Sequence, residues 1–302
     1  LSRYVVTGGA GFIGSHLVEA LLKAGHAVTV LDDLSTGTRD NLPPGAELAL
    51  GSVTDRDLVR DLLKEADGCF HLAAISSVQR CTEDWAASHR VNVGGAVNIF
   101  DAARARKIPV VYASSAAIYG DNRALPLQET EIPQPLSAYG VDKLTTEWNA
   151  GVAASLYGVP TTGLRFFNVY GPRQDPASPY SGVISIFARR LKDGKEITIY
   201  GDGGQTRDFV FVADAVAALR TAMQTPAPGK VFNVATGRAV SLLALVEEIS
   251  KVIGKEPGIN FAAARPGDIR HSQGDPAGFI AAYNLPCNTQ LHAGLAETIT
   301  SL

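Results

Sequence analysis

The chain has 302 residues, 46% of them hydrophobic, and its 27 Lys and Arg against 30 Asp and Glu leave a formal net charge of -3. That length allows one large or two smaller domains, and the near-neutral balance, with no long basic run, argues against nucleic acid or an anionic membrane surface as the main partner. Cys69, Cys81 and Cys287 are widely spaced with no CxxC pair; this pattern suggests neither a disulfide framework nor a zinc site and fits a reducing cytoplasm.

The chain opens on "RYVVT", which reads as a strand rather than as a signal segment. The apolar runs "AVTVLD", "ELALG", "GCFHLAA", "PVVYASS" and "PTTGLRF" predict further strands, with helices between them near 12–24, 55–65, 85–106 and 139–157. No apolar run reaches the roughly 20 residues of a membrane span. Strand and helix in alternation predict βαβ units, and continuous apolar strands predict a sheet covered on both faces. Past residue 168 the pattern loosens. "YGPRQDPASPYSG" reads as a loop, 182–193 as a helix, "EITIYG" as a strand, "FVADAVAALRTAM" as a helix and "KVFNVA" as a strand. "SLLALVEEISKVIG" is an amphipathic helix with Gly254 as its C-terminal cap. The expected fold is α/β: a doubly wound parallel (Rossmann) sheet with a smaller, interleaved C-terminal substrate domain. The expected boundaries are 1–168 plus about 206–236 for the larger domain, and about 169–205 plus 237–302 for the other.

"VTGGAGFIGSHL" follows the first strand and opens the first helix. Gly8, Gly11 and Gly14 form a GxxGxxG pattern, which permits a tight turn and close approach of backbone to a pyrophosphate at a helix N-terminus. Asp32 follows Gly14 by 18 positions, at the end of the second strand. A carboxylate there accepts hydrogen bonds from ribose hydroxyls and repels a 2′-phosphate, so NAD is expected rather than NADP. The plainer alternative is that Asp32 and Asp33 form a turn.

"SAYGVDK" places Tyr139 and Lys143 four residues apart, on one helix face. A tyrosine is a poor base at neutral pH, and a nearby ammonium favours its phenolate. Ser115, at the end of the strand "PVVYASS", can hydrogen-bond the reacting oxygen. The three residues would form a proton-transfer unit beside a hydride acceptor.

In order, the stretches "GGAGFIGS", "LDDLSTG", "HLAA", "VNVGG", "SSAAIYG", "YGVDK", "FFNVYGPR", "IYGDG", "RDFVFVAD" and "RPGD" resemble the extended short-chain dehydrogenase/reductases, in particular the nucleotide-sugar epimerases and dehydratases. The resemblance covers almost the whole chain. Dehydratases of this kind carry an Asp–Glu pair after the Ser/Thr, and UDP-glucuronate decarboxylases a Glu at the second position. Here Ala116 and Ala117 stand there, and methyl groups move no protons. What is left resembles the UDP-glucose (UDP-galactose) 4-epimerases, and implies oxidation at sugar carbon 4 followed by re-reduction.

The resemblance also implies site residues. Phe12, Ile13, Leu34, Ser35, Thr36, Gly37, Val53, Leu72, Ala73, Ala74, Asn92 and Ser114 would join Asp32 and Asp33 around NAD, with Phe166 as a wall near the nicotinamide. Ser52 stands where the family commonly has an Asp as adenine contact. Asn168 and Arg207 match diphosphate contacts, Arg265 and Asp268 phosphate and uridine-ribose contacts, and Tyr200 and the backbone near Val183 would flank the uracil. Ser272, seven past Arg265, falls where a small residue leaves room for an N-acetyl group. A UDP-sugar is thus the implied partner. Helices 85–106 and 139–157, with Val97, Phe100, Leu144 and Trp148, match those that pair relatives as homodimers, though these residues fit an intrachain core equally. A 4-ketoreductase, a glucuronate 4-epimerase and a non-catalytic NAD-binding regulator remain as alternatives. His16, His26, His89 and His292 lack metal-ligand spacing, and His71 reads as a packed strand end.

Overall fold

The computed structural model describes residues 1–174, 182–264 and 268–302. The first half alternates as expected: β1 (Arg3–Thr7), α1 (Phe12–Lys23), β2 (Ala27–Asp32), β3 (Glu47–Leu50), α2 (Arg56–Leu63) and β4 (Gly68–His71). Then come α3 (Val78–Glu83), α4 (Trp85–His89), α5 (Gly95–Ala103), β5 (Val110–Ser115), α6 (Ala138–Tyr157) and β6 (Thr161–Phe166). The second half holds β7 (Asn168–Tyr170), α7 (Val183–Lys192), β8 (Ile197–Tyr200), β9 (Thr206–Arg207), β10 (Phe209–Phe211), α8 (Val212–Gln224) and β11 (Lys230–Val234). It closes with β12 (Val240–Ser241), α9 (Leu242–Ile253), β13 (Ile259–Ala262), α10 (Ala277–Tyr283) and α11 (Leu291–Thr300).

Seven strands form one sheet in the order β11–β6–β5–β4–β1–β2–β3. β1 pairs in parallel with β2 on one side and β4 on the other, so the chain reverses direction of travel across the sheet at β1. In doubly wound sheets ligands bind at such a reversal, beyond the carboxyl ends of the strands. β6 is buried at every position, as a strand covered on both faces must be.

Two departures from the predicted elements have local causes. The predicted helix 85–106 is interrupted by a π turn at Arg90–Gly94, where Asn92 turns inward and is buried. "FVADAVAALRTAM" is helical from its second residue, its Phe211 ending β10, where Phe209–Phe211 pair with Asn168–Tyr170. The C-cap is as read, Gly254 ending α9 with φ of 73°, and Ser241 opens the helix by accepting from Ala244 N.

The chain divides into two compact units. The first comprises Leu1–Ile118, Pro135–Arg165 and Val216–Phe232, and the second Tyr119–Gln134, Phe166–Ala215 and Asn233–Leu302. In the first, Val5, Leu31, Val53, Ile99, Phe100, Val110 and Tyr112 belong to one apolar cluster. In the second, α9 packs against α7 and α11, beside three two-stranded pairings: β7/β10, β9/β12 and β8/β13.

Candidate active site

The turn between β1 and α1 is built for close approach. A Cβ on Gly14 would stand 2.1 Å from the Gly8 carbonyl oxygen, and one on Gly8, whose φ is +70°, 2.7 Å from Ala73 N. A Cβ on Gly37 would meet the Ala10 carbonyl carbon at 2.8 Å, so the loop after β2 lies directly on this turn. Thr38 N and Asn41 Nδ2 both donate to Ala10 O, at 3.1 and 3.0 Å, and hold it there. Gly11 offers no side-chain cap to α1, so the first-turn amides beside Phe12 and Ile13 keep their capacity for an anion.

Asp32 and Asp33 both accept backbone amides at this turn and differ in burial. Asp32 is buried and accepts from Ala10 N and Leu34 N, each at 2.9 Å. A carboxylate has about four acceptor positions, so two remain for further donors. Asp33 is exposed and accepts from Ser35 N at 2.9 Å, a turn contact. Leu34 between them has φ of 58°, a strained value for a leucine; Ser35 and Thr36 follow on the exposed part of the loop. The Ser52 hydroxyl is engaged by Thr54, 2.9 Å from Oγ1 and 3.2 Å from N, so an adenine contact has to share it with a local turn. Val53 is buried beside it.

The loop after β4 is fixed to β1: Leu72 N donates to Thr7 O, and Ala73 N to Thr7 Oγ1, at 3.1 and 3.2 Å. Ala74 lies beyond these anchors. Thr7 Oγ1 is 2.8 Å from His71 Nδ1. Burial, with the Lys143 charge adding to it, lowers His71 to about 3. It is therefore a neutral, packed residue at physiological pH, as the sequence suggests. Asn92 reaches the same loop from the π turn. Its Oδ1 accepts from Ile75 N at 2.8 Å, and its Nδ2 donates to Ile75 O and to Asp142 Oδ2, both at 3.2 Å.

Ser115, Tyr139 and Lys143 converge in the first unit. Ser137 caps α6, which places Tyr139 in its first turn and Lys143 one turn on. Lys143 Nζ donates to Ala113 O at 2.9 Å and lies 5.7 Å from the Tyr139 ring centroid. Tyr139 keeps some accessible surface, yet burial pushes its hydroxyl up to about 12, against a hydrogen bond with Ser115 that lowers it. The sequence-based expectation of a tyrosine lowered by the neighbouring ammonium is thus not what these residues produce on their own: desolvation outweighs the Ser115 hydrogen bond. Burial also lowers Lys143, to about 8. Ala116 and Ala117 open a 3-10 turn directly after Ser115, with Ala117 N donating to Ser115 Oγ at 3.1 Å. Behind the site, Ser114 donates to Glu147, which Arg165 grips with Nε and Nη2 at 2.9 and 2.8 Å.

Of the predicted substrate contacts among the described residues, all but Ser115 and Tyr139 lie in the second unit. Arg207 Nη2 donates to Asp268 Oδ1 at 3.0 Å, so these two are together. Asn168 is exposed on β7, and its N donates to Asp208 O at 2.9 Å. Val183 opens α7, and Tyr200 ends β8, 37% exposed. Ser272 N donates to Thr206 O at 3.1 Å, one residue from Arg207. Phe166 is a buried ring at the end of β6. Arg265 lies outside the described residues.

Four groups were missed from sequence: Asp142, the Glu147–Arg165 pair, His89 and Asp208. Asp208 is fully buried and gathers Thr236 N and Oγ1, Gly237 N and Gly274 N on its two oxygens. Charged residues on the inner face of α6 were the available signal for the first two.

The fold and the glycine cradle define a dinucleotide-binding α/β protein. Residues 4–235 match the model of the NAD dependent epimerase/dehydratase family. The chain belongs to that family, and NAD is its cofactor. It is 37% identical over 305 residues to a UDP-glucose 4-epimerase of Mycolicibacterium smegmatis, covering 98% of this chain and 97% of that one. A Thermotoga maritima UDP-glucose 4-epimerase with UDP-glucose superposes with a TM-score of 0.95 at 36% identity, over 99% of this chain and 98% of the other. A UDP-N-acetylglucosamine 4-epimerase of Methanobrevibacter ruminantium, in complex with UDP-N-acetylmuramic acid, gives 0.96 at 35% identity, over 99% and 97%.

Proposed function

We propose that this chain is a nucleotide-sugar 4-epimerase that interconverts UDP-galactose and UDP-glucose through a transient 4-keto sugar. The observation that carries the reading is the Ser115–Tyr139–Lys143 group followed by the two methyls of Ala116 and Ala117. It can move one proton at one oxygen, and positions 116 and 117, where the dehydratases carry Asp and Glu, offer no proton-transferring group for an elimination.

The glycine turn, Asp32, the Leu34–Gly37 loop, Val53, the Leu72–Ala74 loop, Asn92 and Ser114 would hold NAD, with Ser52 and Phe166 as further contacts. Bound NAD supplies a hydride acceptor for carbon 4 and then the matching donor. Tyr139 takes the proton from the 4-hydroxyl and later returns it. Ser115 hydrogen-bonds the same oxygen. Lys143, as an ammonium, favours the phenolate of Tyr139 and so offsets the burial that opposes it.

Asn168, Arg207, Arg265 and Asp268 would grip the nucleotide, an arginine fork suiting a diphosphate, with Val183 and Tyr200 at the uracil. That grip leaves the sugar free to turn over. The first unit is then the NAD-binding part and the second the nucleotide-sugar part. Ser272 extends the reading to UDP-N-acetylgalactosamine and UDP-N-acetylglucosamine, because its small side chain leaves space for the acetamido group. Trp85, Val97, Val141, Trp148, Val152 and Leu156 are exposed apolar residues on α4, α5 and α6, and they support a homodimer through these helices. A cytoplasmic setting accords with its three thiols, all free. The test is conversion of UDP-galactose to UDP-glucose by the purified protein without added NAD. No conversion, even with NAD added, would remove the reading.

A further inference from the structure

Two carboxylates of α6 lie buried beside Lys143, and their partners differ. Glu147 is bidentate to Arg165 and also receives the Ser114 hydroxyl, so its charge is balanced. Asp142 has no accessible surface and forms no ion pair with a lysine or arginine among the described residues. Its Oδ2 accepts from Asn92 Nδ2 at 3.2 Å, and its Oδ1 is 2.7 Å from Nδ1 of His89, whose side chain is 52% exposed. Lys143 follows it in sequence and is buried too, with the neutral Ala113 carbonyl as its hydrogen-bond acceptor. Burying an ammonium on a neutral acceptor alone is costly, and so is burying a carboxylate without a cation. Once Glu147 and Arg165 are matched, the Lys143 ammonium and the Asp142 carboxylate are left on adjacent residues, with the His89 imidazole, a cation only when protonated, as the other group on Asp142.

We propose that Asp142 is the counter-charge that keeps Lys143 protonated beside the catalytic tyrosine, and that His89 and Asn92 hold its carboxylate in place for that task. The consequence for catalysis rests on the proton-transfer reading above. Asp142 is a positioning residue: it acts through Lys143. The groups facing Lys143 are Tyr139, Asp142 and Glu147 of α6, Cys81 of α3 and His71 of β4. Those facing Asp142 are His89 of α4, Asn92 of the π turn and Cys81. Burial keeps His71 neutral and pushes the Cys81 thiol up, and Glu147 is taken by Arg165. Of the charges that resist the lowering of Lys143, Asp142 stands first.

The test is a 13Cε lysine NMR titration of the holoenzyme, with Lys143→Arg used to identify the signal. In Asp142→Asn, which keeps the shape and loses the charge, the Lys143 midpoint is expected to fall by about one pH unit or more. The alkaline limb of kcat for epimerisation should fall with it. An unchanged midpoint overturns the proposal, and so does a kcat lowered equally at every pH, the mark of a merely structural role. Should the variant fail to fold, the wild type decides. Its Asp142 carboxyl carbon is expected to show the chemical shift of an ionised carboxylate at pH 7, and that of a protonated acid would overturn the proposal. If the wild type converts no UDP-hexose, the functional reading falls, and the Lys143 midpoint still settles the role of Asp142.

Discussion

Lys143 holds its ammonium 5.7 Å from the centroid of the Tyr139 ring, one helical turn away, with the carbonyl of Ala113 as its anchor. The lysine's hydrogen bond goes to that carbonyl and not to the tyrosine hydroxyl. The hydroxyl is paired with Ser115 instead.

Removing that hydroxyl isolates its role. Tyr139→Phe is expected to lower kcat by about 10²–10⁴, the usual worth of a positioned acid–base group. The NAD content of the purified protein should stay at the wild-type level, since the glycine turn is untouched. Turnover and the cofactor released on denaturation measure the two.

Activity and stability should respond to alkali in opposite senses. Lys143 titrates at about 8 in the folded protein against an ordinary value of 10.5, because burial disfavours its charge. Above about 8 it loses the proton that supports the Tyr139 phenolate, so kcat falls. Between about 8 and 10.5 the unfolded chain binds the proton that the folded one has lost. Stability from this group therefore rises with pH across that window. Urea melts of wild type and Lys143→Met at pH 7.5 and 9.5 check this, and the stability of wild type relative to the variant should increase.

His71 carries the acid side. Its folded value of about 3 lies below the ordinary 6.5, because burial and the Lys143 charge both oppose protonation. As pH falls through 6.5, the unfolded chain takes up a proton and the folded chain does not. Stability then declines by about 1.4 kcal/mol per pH unit from this group alone. Denaturation between pH 7 and 5 should show a shallower decline for His71→Gln than for wild type.

The glycine turn tolerates no side chain at its tightest point. In Gly14→Ala the new methyl would stand 2.1 Å from the Gly8 carbonyl oxygen, too close for any rotamer to relieve. The turn must open, and the protein should purify with little or no NAD and a lowered melting temperature. A variant that retains its full complement of NAD would show that the cofactor does not use this cradle.

What could be read from the sequence was set by local geometry. The glycine spacing, Asp32 at a strand end, and Tyr139 and Lys143 a turn apart each express a short-range rule, and the structure brings each group together. The supporting charges obey no such rule. Asp142 meets His89 across 53 positions and Asn92 across 50, and Asp208 meets Gly274 across 66. Nothing in the stretch around any of them announces the partner. The short strands Thr206–Arg207 and Val240–Ser241 escaped for a related reason: two residues show no period, and only their mutual pairing makes them strands. The π turn at Arg90–Gly94 was hidden inside a helical pattern that continues on both sides. The lowering expected of Tyr139 failed because spacing reports a neighbour's charge and not the depth of burial.

The central claim is that one hydrogen leaves carbon 4 of the sugar and returns to it from the other side, with Tyr139 moving the proton. UDP-galactose deuterated at carbon 4 tests this most directly. After incubation with the purified protein, without added NAD, the UDP-glucose formed should keep its deuterium at carbon 4. Tyr139→Phe should form almost none. Exchange of that deuterium with solvent hydrogen during conversion, or its loss to added cofactor, would contradict the account.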